Sequence, residues 1–247
     1  MRVGNKLLVY RVLIFILVLP KTFYGVSIEK DAVGYEYRTP HDPDGIGKFY
    51  MGREIAKVMG YRGADWLERP ERDREERASL LLELLKLQRG YRVADIGAGS
   101  GYFSLLIARL VGPEGRVLAV DVQTEMLDLI RGKIERLGVE NVELVLGTEL
   151  DPRLPPQSLD FVFMVDVYHE FSHPWEMMKK ICQAVKPEGR VVFVEYREED
   201  PLVPIKRLHK MTEKQVKKEM SVHPLRWLET IDTLPRQHVI FFEKIKE

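Results

Sequence analysis

Between Asp95 and Tyr102 the chain reads Asp-Ile-Gly-Ala-Gly-Ser-Gly-Tyr, three alternating glycines directly after an acid and one apolar residue. Glycines so spaced let a backbone turn sharply and approach a ligand closely, with torsions closed to other residues. Further on, Val120-Asp121-Val122 carries a second acid at the end of another apolar run. A carboxylate so placed accepts hydrogen bonds from ribose hydroxyls. A dinucleotide fingerprint needs Gly-x-Gly-x-x-Gly, whereas here the third glycine comes one residue early and Tyr102 stands in its place. The acids and the glycine turn therefore fit a nucleoside without pyrophosphate, and a nicotinamide-dependent oxidoreductase is disfavoured. A second chemical segment runs from Phe161 to Phe171, where Asp166, Tyr168, His169 and Glu170 emerge from an apolar stretch. His169 has the intrinsic pKa range to take a proton from a hydroxyl or an acidic carbon near neutrality. Its bland alternative is a packing residue where the chain approaches a helix.

These residues need a scaffold that brings strand ends together. Short runs of Val, Leu, Ile, Phe and Ala at Arg92–Ile96, Arg116–Val122, Val142–Leu146, Leu159–Val167 and Arg190–Tyr196 read as strands covered on both faces. Helical spacing separates them at Tyr102–Leu110, Thr124–Leu137 and Pro174–Val185. A further helix fits Met211–Met220, and Trp227–Leu234 with His238–Ile245 can close a hairpin around Pro235-Arg236. The fold class is α/β, a doubly wound, mostly parallel seven-stranded sheet. Ligands bind such sheets outside the carboxyl ends of the strands, where both chemical segments fall. Ahead of the sheet, Lys30–Lys48 is rich in turn formers and reads as an ordered loop, Phe49 to Gly60 has helical spacing, and Arg72–Leu87 reads as an amphipathic helix ended by Gly90. The expected organisation is a signal-like segment over 1–27, an N-terminal loop and helical lid over 28–88, and the αβ domain over 89–247.

The chain resembles the class I S-adenosylmethionine-dependent methyltransferases through Val93–Phe103, through Ala119-Val-Asp-Val-Gln-Thr-Glu-Met-Leu127 and through Val185-Lys-Pro-Glu-Gly-Arg190. The match covers residues 89–247. The resemblance implies a Rossmann-like fold with S-adenosyl-L-methionine as cofactor. It implies that Gly97, Ala98, Gly99 and Gly101 border the methionine portion, that Asp95 shapes their loop, and that Asp121, flanked by Val122, holds the ribose. Many relatives carry Gly-Asp after the third strand, with the acid beside the adenine. This chain has Gly147-Thr148-Glu149-Leu150-Asp151, so Thr148 stands at the acid's place, and Glu149 is either its substitute or a solvated loop acid. The resemblance sets Asp166, Tyr168, His169 and Glu170 beside the transferable methyl. The expected activity is methyl transfer to a small-molecule acceptor; the alternative is a catalytically inactive cofactor-binding or scaffold protein of the same fold, exported or membrane-tethered. Glu195–Asp200, His209-Lys210-Met211 and Gln237-His238 lie where late loops can cover the same edge, but none has a recognised ligand spacing, and no metal is expected.

Composition narrows the partners. With 45% hydrophobic and 31% charged residues the chain can bury a real core. Lys plus Arg equals Asp plus Glu at 38 each, so no overall field draws the protein to nucleic acid. The single cysteine, Cys182, can form neither an internal disulfide nor a zinc knuckle. Arg2, Lys6 and Arg11 precede the apolar run Val12–Leu19, which ends at Pro20. This pattern reads as a signal peptide or membrane tether, with small residues suited to cleavage after Ser27, and leaves the location open between export, membrane association and the cytoplasm.

Overall fold

The computed structural model describes residues 27–246. The basic and apolar N-terminal run therefore lies outside the described residues. Among the described residues no helix is long and apolar enough to cross a membrane.

The described residues begin with β1 (Ser27–Lys30), β2 (Glu36–Thr39), β3 (Gly45–Tyr50) and β4 (Arg53–Ala56), an antiparallel sheet in that order. The expected loop over Lys30–Lys48 and helix from Phe49 are thus corrected to strands. The reason is local: Met51 and Gly52 both take positive φ, 47° and 96°, and pair Tyr50 with Arg53 across a two-residue hairpin turn. Tyr35, Tyr50 and Ile55 bury a small core of their own against this sheet.

Three short helices follow, α1 (Ala64–Leu67), α2 (Arg72–Glu76) and α3 (Ala78–Leu85). The single amphipathic helix expected over Arg72–Leu87 is broken at Arg77, whose φ is 53°. Asp73 accepts hydrogen bonds from the Ser79 N–H and hydroxyl at 3.1 and 3.2 Å, which starts α3 afresh in a new direction.

The αβ unit is formed by β5 (Arg92–Ile96), α4 (Tyr102–Val111), β6 (Arg116–Asp121), α5 (Thr124–Leu137), β7 (Val142–Leu146), β8 (Leu159–Val165), α6 (Pro174–Ala184), β9 (Val185–Tyr196), α7 (Glu213–Met220), β10 (Leu225–Ile231) and β11 (Gln237–Lys244). Its seven strands lie in the order β10-β11-β9-β8-β5-β6-β7, parallel except for β11, which runs antiparallel to both β9 and β10. The expected sheet is the one found. Successive strand residues enter opposite cores, as Val162 and Met164 pack on the α6 and α7 side while Phe161 and Phe163 face α3, α4 and α5. Two-sided burial explains why these strands are continuous apolar runs rather than alternating ones.

The N-terminal sheet is fastened to the αβ unit by buried polar groups. Arg53 Nε and Nη2 donate to the two carboxylate oxygens of Glu219 in α7 at 2.8 and 3.0 Å, and Nη1 donates to the His169 carbonyl at 2.9 Å. The Tyr35 hydroxyl donates to Glu176 at 2.6 Å at the start of α6. Glu219 is fully buried, so removing its guanidinium partner leaves an uncompensated charge. Arg53→Ala is expected to lower stability by about 3–5 kcal/mol, read from urea unfolding midpoints. Arg53→Met combined with Glu219→Gln, which abolishes the buried charge, should recover part of that loss; a double variant as unstable as Arg53→Ala would refute this account.

Candidate active site

The chain runs from β5 through β6 to β7 on one side and then crosses back to place β8 on the other side of β5. This is the switch point at which doubly wound sheets open a crevice. A cavity of about 640 Å³ opens there, and its walls include Gly97, Gly99, Asp121, Val122, Thr148, Glu149, Asp166, His169 and Glu170. Most of the candidate residues are therefore brought to one space, within the volume range typical of small-molecule sites.

The glycine loop is shaped by its neighbours. Gly97, Gly99 and Gly101 all take positive φ. At Gly97, with φ of 69°, an added Cβ would stand 2.4 Å from Val167 Cγ2, so only glycine fits. Gly101 precedes α4 with φ of 78°, and its face is pressed against Ile130. Ala98 and Asp95 sit behind the loop rather than on the cavity wall. Asp95 accepts a hydrogen bond from the Ser104 hydroxyl at 2.5 Å, and burial pushes its carboxyl up to about 6. This bond ties the end of β5 to the first turn of α4, across the glycine loop that joins them.

Asp121 is the best-organised acid on the wall. One carboxylate oxygen accepts from the Gly99 N–H and the other from the Gln123 N–H, each at 2.9 Å. These bonds fix the plane of the carboxylate at the mouth of β6 and leave a second lone pair on each oxygen for a ligand. Burial raises its pKa, opposed by the backbone donors. Val122 beside it is exposed. Thr148 uses its hydroxyl locally, accepting from the Asp151 N–H at 3.0 Å, and Glu149 accepts from the Ser172 hydroxyl at 2.8 Å. Thr148 thus contributes backbone and methyl surface to the wall, not a free acceptor.

At the end of β8 the four polar candidates separate. Asp166 leaves the strand with φ of 51°; its Oδ2 accepts from Gln237 Nε2 at 2.7 Å, and its Oδ1 is buried without a protein partner. Burial, with Glu76 and Glu195 nearby, pushes its pKa well up. Tyr168 turns away from the cavity and donates to Glu219 at 2.7 Å inside the core. His169 and Glu170 remain on the cavity wall. His169 Nδ1 donates to Glu195 at 2.6 Å, and the other oxygen of Glu195 accepts from the Tyr168 N–H at 2.9 Å. His169 Nε2 lies 3.2 Å from His209 Nδ1, and the Met59 N–H donates to Glu170 at 3.2 Å. Burial alone would lower the His169 pKa, but the Glu195 carboxylate outweighs it and the net shift is upward.

Several residues of the site have no motif in the sequence. Glu195 reads there as part of a charged loop, yet it is fully buried at the end of β9. Gln123 accepts from the Tyr61 N–H at 2.8 Å and donates to the Met59 carbonyl at 3.0 Å, which ties the covering segment to the exit of β6. Met59, Trp66, Leu67 and Ile205 supply an apolar wall. A signal was present only in Glu195, since an acid one residue inside the expected strand end at Tyr196 has no solvent face.

The seven-stranded order, the glycine turn and the acid closing the second strand of the parallel set define a class I methyltransferase fold. Residues 87–236 match the family model described as methyltransferase domain. The chain belongs to this family of S-adenosylmethionine-dependent methyltransferases. It is 26% identical over 114 residues to a demethylmenaquinone methyltransferase of Listeria welshimeri, 46% of this chain and 48% of that protein. It is 29% identical over 129 residues to the uncharacterized methyltransferase YcgJ of Bacillus subtilis, 52% of this chain and 50% of that one. The chain spans about half the length of these curated relatives. The fold is like that of a SAM-dependent methyltransferase from Aquifex aeolicus, with a TM-score of 0.72 at 23% identity over 76% of this chain and all of the other.

The raised pKa of Asp95 has a pH consequence. In the unfolded chain the carboxyl ionises near 3.9, before the folded protein allows it at about 6. Stability on this account is lost as pH rises from about 4 to 6 and the loss persists above. Relative to the parent protein, Asp95→Asn should gain about 2 kcal/mol between pH 4.5 and 6.5, measured by urea unfolding at both values. A difference independent of pH would show that the buried carboxyl is not the titrating group.

Proposed function

We propose that the protein transfers a methyl group from S-adenosylmethionine to a small-molecule acceptor bound in the same cavity. The observation that supports this most is the Asp121 carboxylate, fixed by Gly99 and Gln123 at one part of a cavity that also holds His169 and Glu170. The residues fit the cofactor. Asp121 keeps free lone pairs for two vicinal hydroxyls, the turn at Gly97 and Gly99 admits close approach, and Asp166 Oδ1 is a buried acceptor suited to an ammonium group. When bound, the cofactor supplies an electrophilic methyl carbon on a sulfonium.

The chain's own work is positioning and exclusion of water. In-line displacement gains much of its rate from holding the two reacting atoms at attack distance. Glu195 sets the His169 ring, and Arg53 holds the His169 carbonyl, so the polar group that meets the acceptor has little freedom. Met59, Trp66, Leu67 and Ile205 cover the space with apolar surface. Such walls suit an acceptor with apolar surface, the character of the demethylmenaquinone named for the Listeria relative.

Calorimetry on the purified chain tests the reading. S-adenosylmethionine should bind with micromolar affinity, about −8 kcal/mol, and NAD should not. Asp121→Ala removes two charge-assisted contacts to the ribose and should weaken binding about 10–100-fold. A folded protein that takes up no S-adenosylmethionine, or an Asp121→Ala variant with unchanged affinity, would overturn it.

A further inference from the structure

The geometry points to a divalent metal site on the cavity wall, formed by His169 Nε2, His209 Nδ1 and Glu170 Oε1. Histidine and carboxylate ligands about 2.1 Å from one ion and at octahedral or tetrahedral angles stand about 3.0–3.4 Å apart. The three atoms here are separated by 3.2, 3.4 and 3.9 Å. They already form a triangle that one ion can cap with shifts of a few tenths of an ångström. All three residues line the cavity, and their ligand atoms converge from two separate chain segments, the turn after β8 and the turn at Arg207–His209.

The surroundings are those of a metal ligand set. Glu195 holds His169 Nδ1 at 2.6 Å, which leaves Nε2 as the ring's coordinating atom and orients it. A carboxylate behind a ligating histidine is the usual outer partner at metal centres. The Met59 N–H at 3.2 Å steadies Glu170 Oε1. His169 is 2% exposed and Glu170 12%, so the site is largely sheltered from bulk water. Two histidines and one carboxylate suit a first-row transition ion rather than magnesium or calcium, and they leave coordination positions open. Those positions face the cavity. If the methyl-transfer reading holds, on which this consequence alone rests, the acceptor presents an anionic oxygen or sulfur to the ion, which lowers the acceptor's pKa and fixes the attacking atom.

The test uses Co²⁺ as the probe on the full chain freed of metal by chelation. Visible absorption bands of bound Co²⁺ should saturate at one equivalent with a dissociation constant in the micromolar range or tighter. His209→Ala and Glu170→Gln should each weaken binding at least tenfold. Glu195→Gln, which keeps all three ligands, should weaken it about 10–100-fold and alter the bands. Circular dichroism monitors folding, and His209, 22% exposed, is the variant least able to disturb it. No saturable Co²⁺ spectrum with the folded parent protein, or a spectrum and affinity unchanged in His209→Ala, would overturn the site. S-adenosylmethionine binding is read separately by calorimetry, so loss of the metal with donor binding intact refutes the metal site alone, and the reverse refutes the methyl-transfer reading alone.

Discussion

The buried carboxylate of Glu195 governs the chemical end of this molecule. It sits at the close of β9 with no exposed surface and would be costly there without partners. Its two oxygens take the Tyr168 N–H and His169 Nδ1, so one side chain fixes both the backbone turn after β8 and the ring that follows it. The charge is balanced nearby. Arg53 lies beside His169 and Glu219, so two buried acids are set against one guanidinium and an imidazole whose affinity for a proton is raised. A change at any of these four groups alters the electrostatics of the rest, because the surroundings screen them weakly.

The segment that follows the N-terminal sheet is part of the same wall. Gln123 clasps Met59 and Tyr61 beside Asp121, and Glu170 accepts from Met59. The covering segment is thus held at the ribose side and at the polar side by separate hydrogen bonds. Residues 57–69 close over the strand ends without a core of their own, whereas the sheet behind them is anchored by Arg53 and Tyr35.

The parallel strands were legible because burial on both faces writes itself as unbroken apolar runs. The bounds of Arg92–Ile96, Val142–Leu146 and Thr124–Leu137 follow from sequence and hold in the structure. Gly97, Gly99 and Asp121 were legible for the same reason, as breaks at the ends of those runs. The N-terminal strands were not, since β2 alternates half-buried with exposed residues over only four positions and its neighbours are interrupted by Gly, Asp and Pro. Tyr168 was misjudged by position alone, because a 3-10 turn points consecutive side chains in different directions. The convergence of His209 on His169 had no local signal. It depends on how the chain after β9 folds back over the sheet edge, which no spacing records.

The Arg53–Glu219 pair spans 166 positions of sequence. Loop-closure cost grows only slowly with length, so a pair this distant costs little more chain entropy than a nearer one. During synthesis the first strands leave the ribosome well before α7 exists, and their anchor is the last helix but two strands from the end of the sheet. Met59 and Tyr61 in the cover can meet Gln123 and Glu170 well before then, whereas the tie of the sheet behind them waits for α7. A chain stopped before α7 would therefore leave the Arg53 guanidinium without its carboxylate and the first sheet without that fastening.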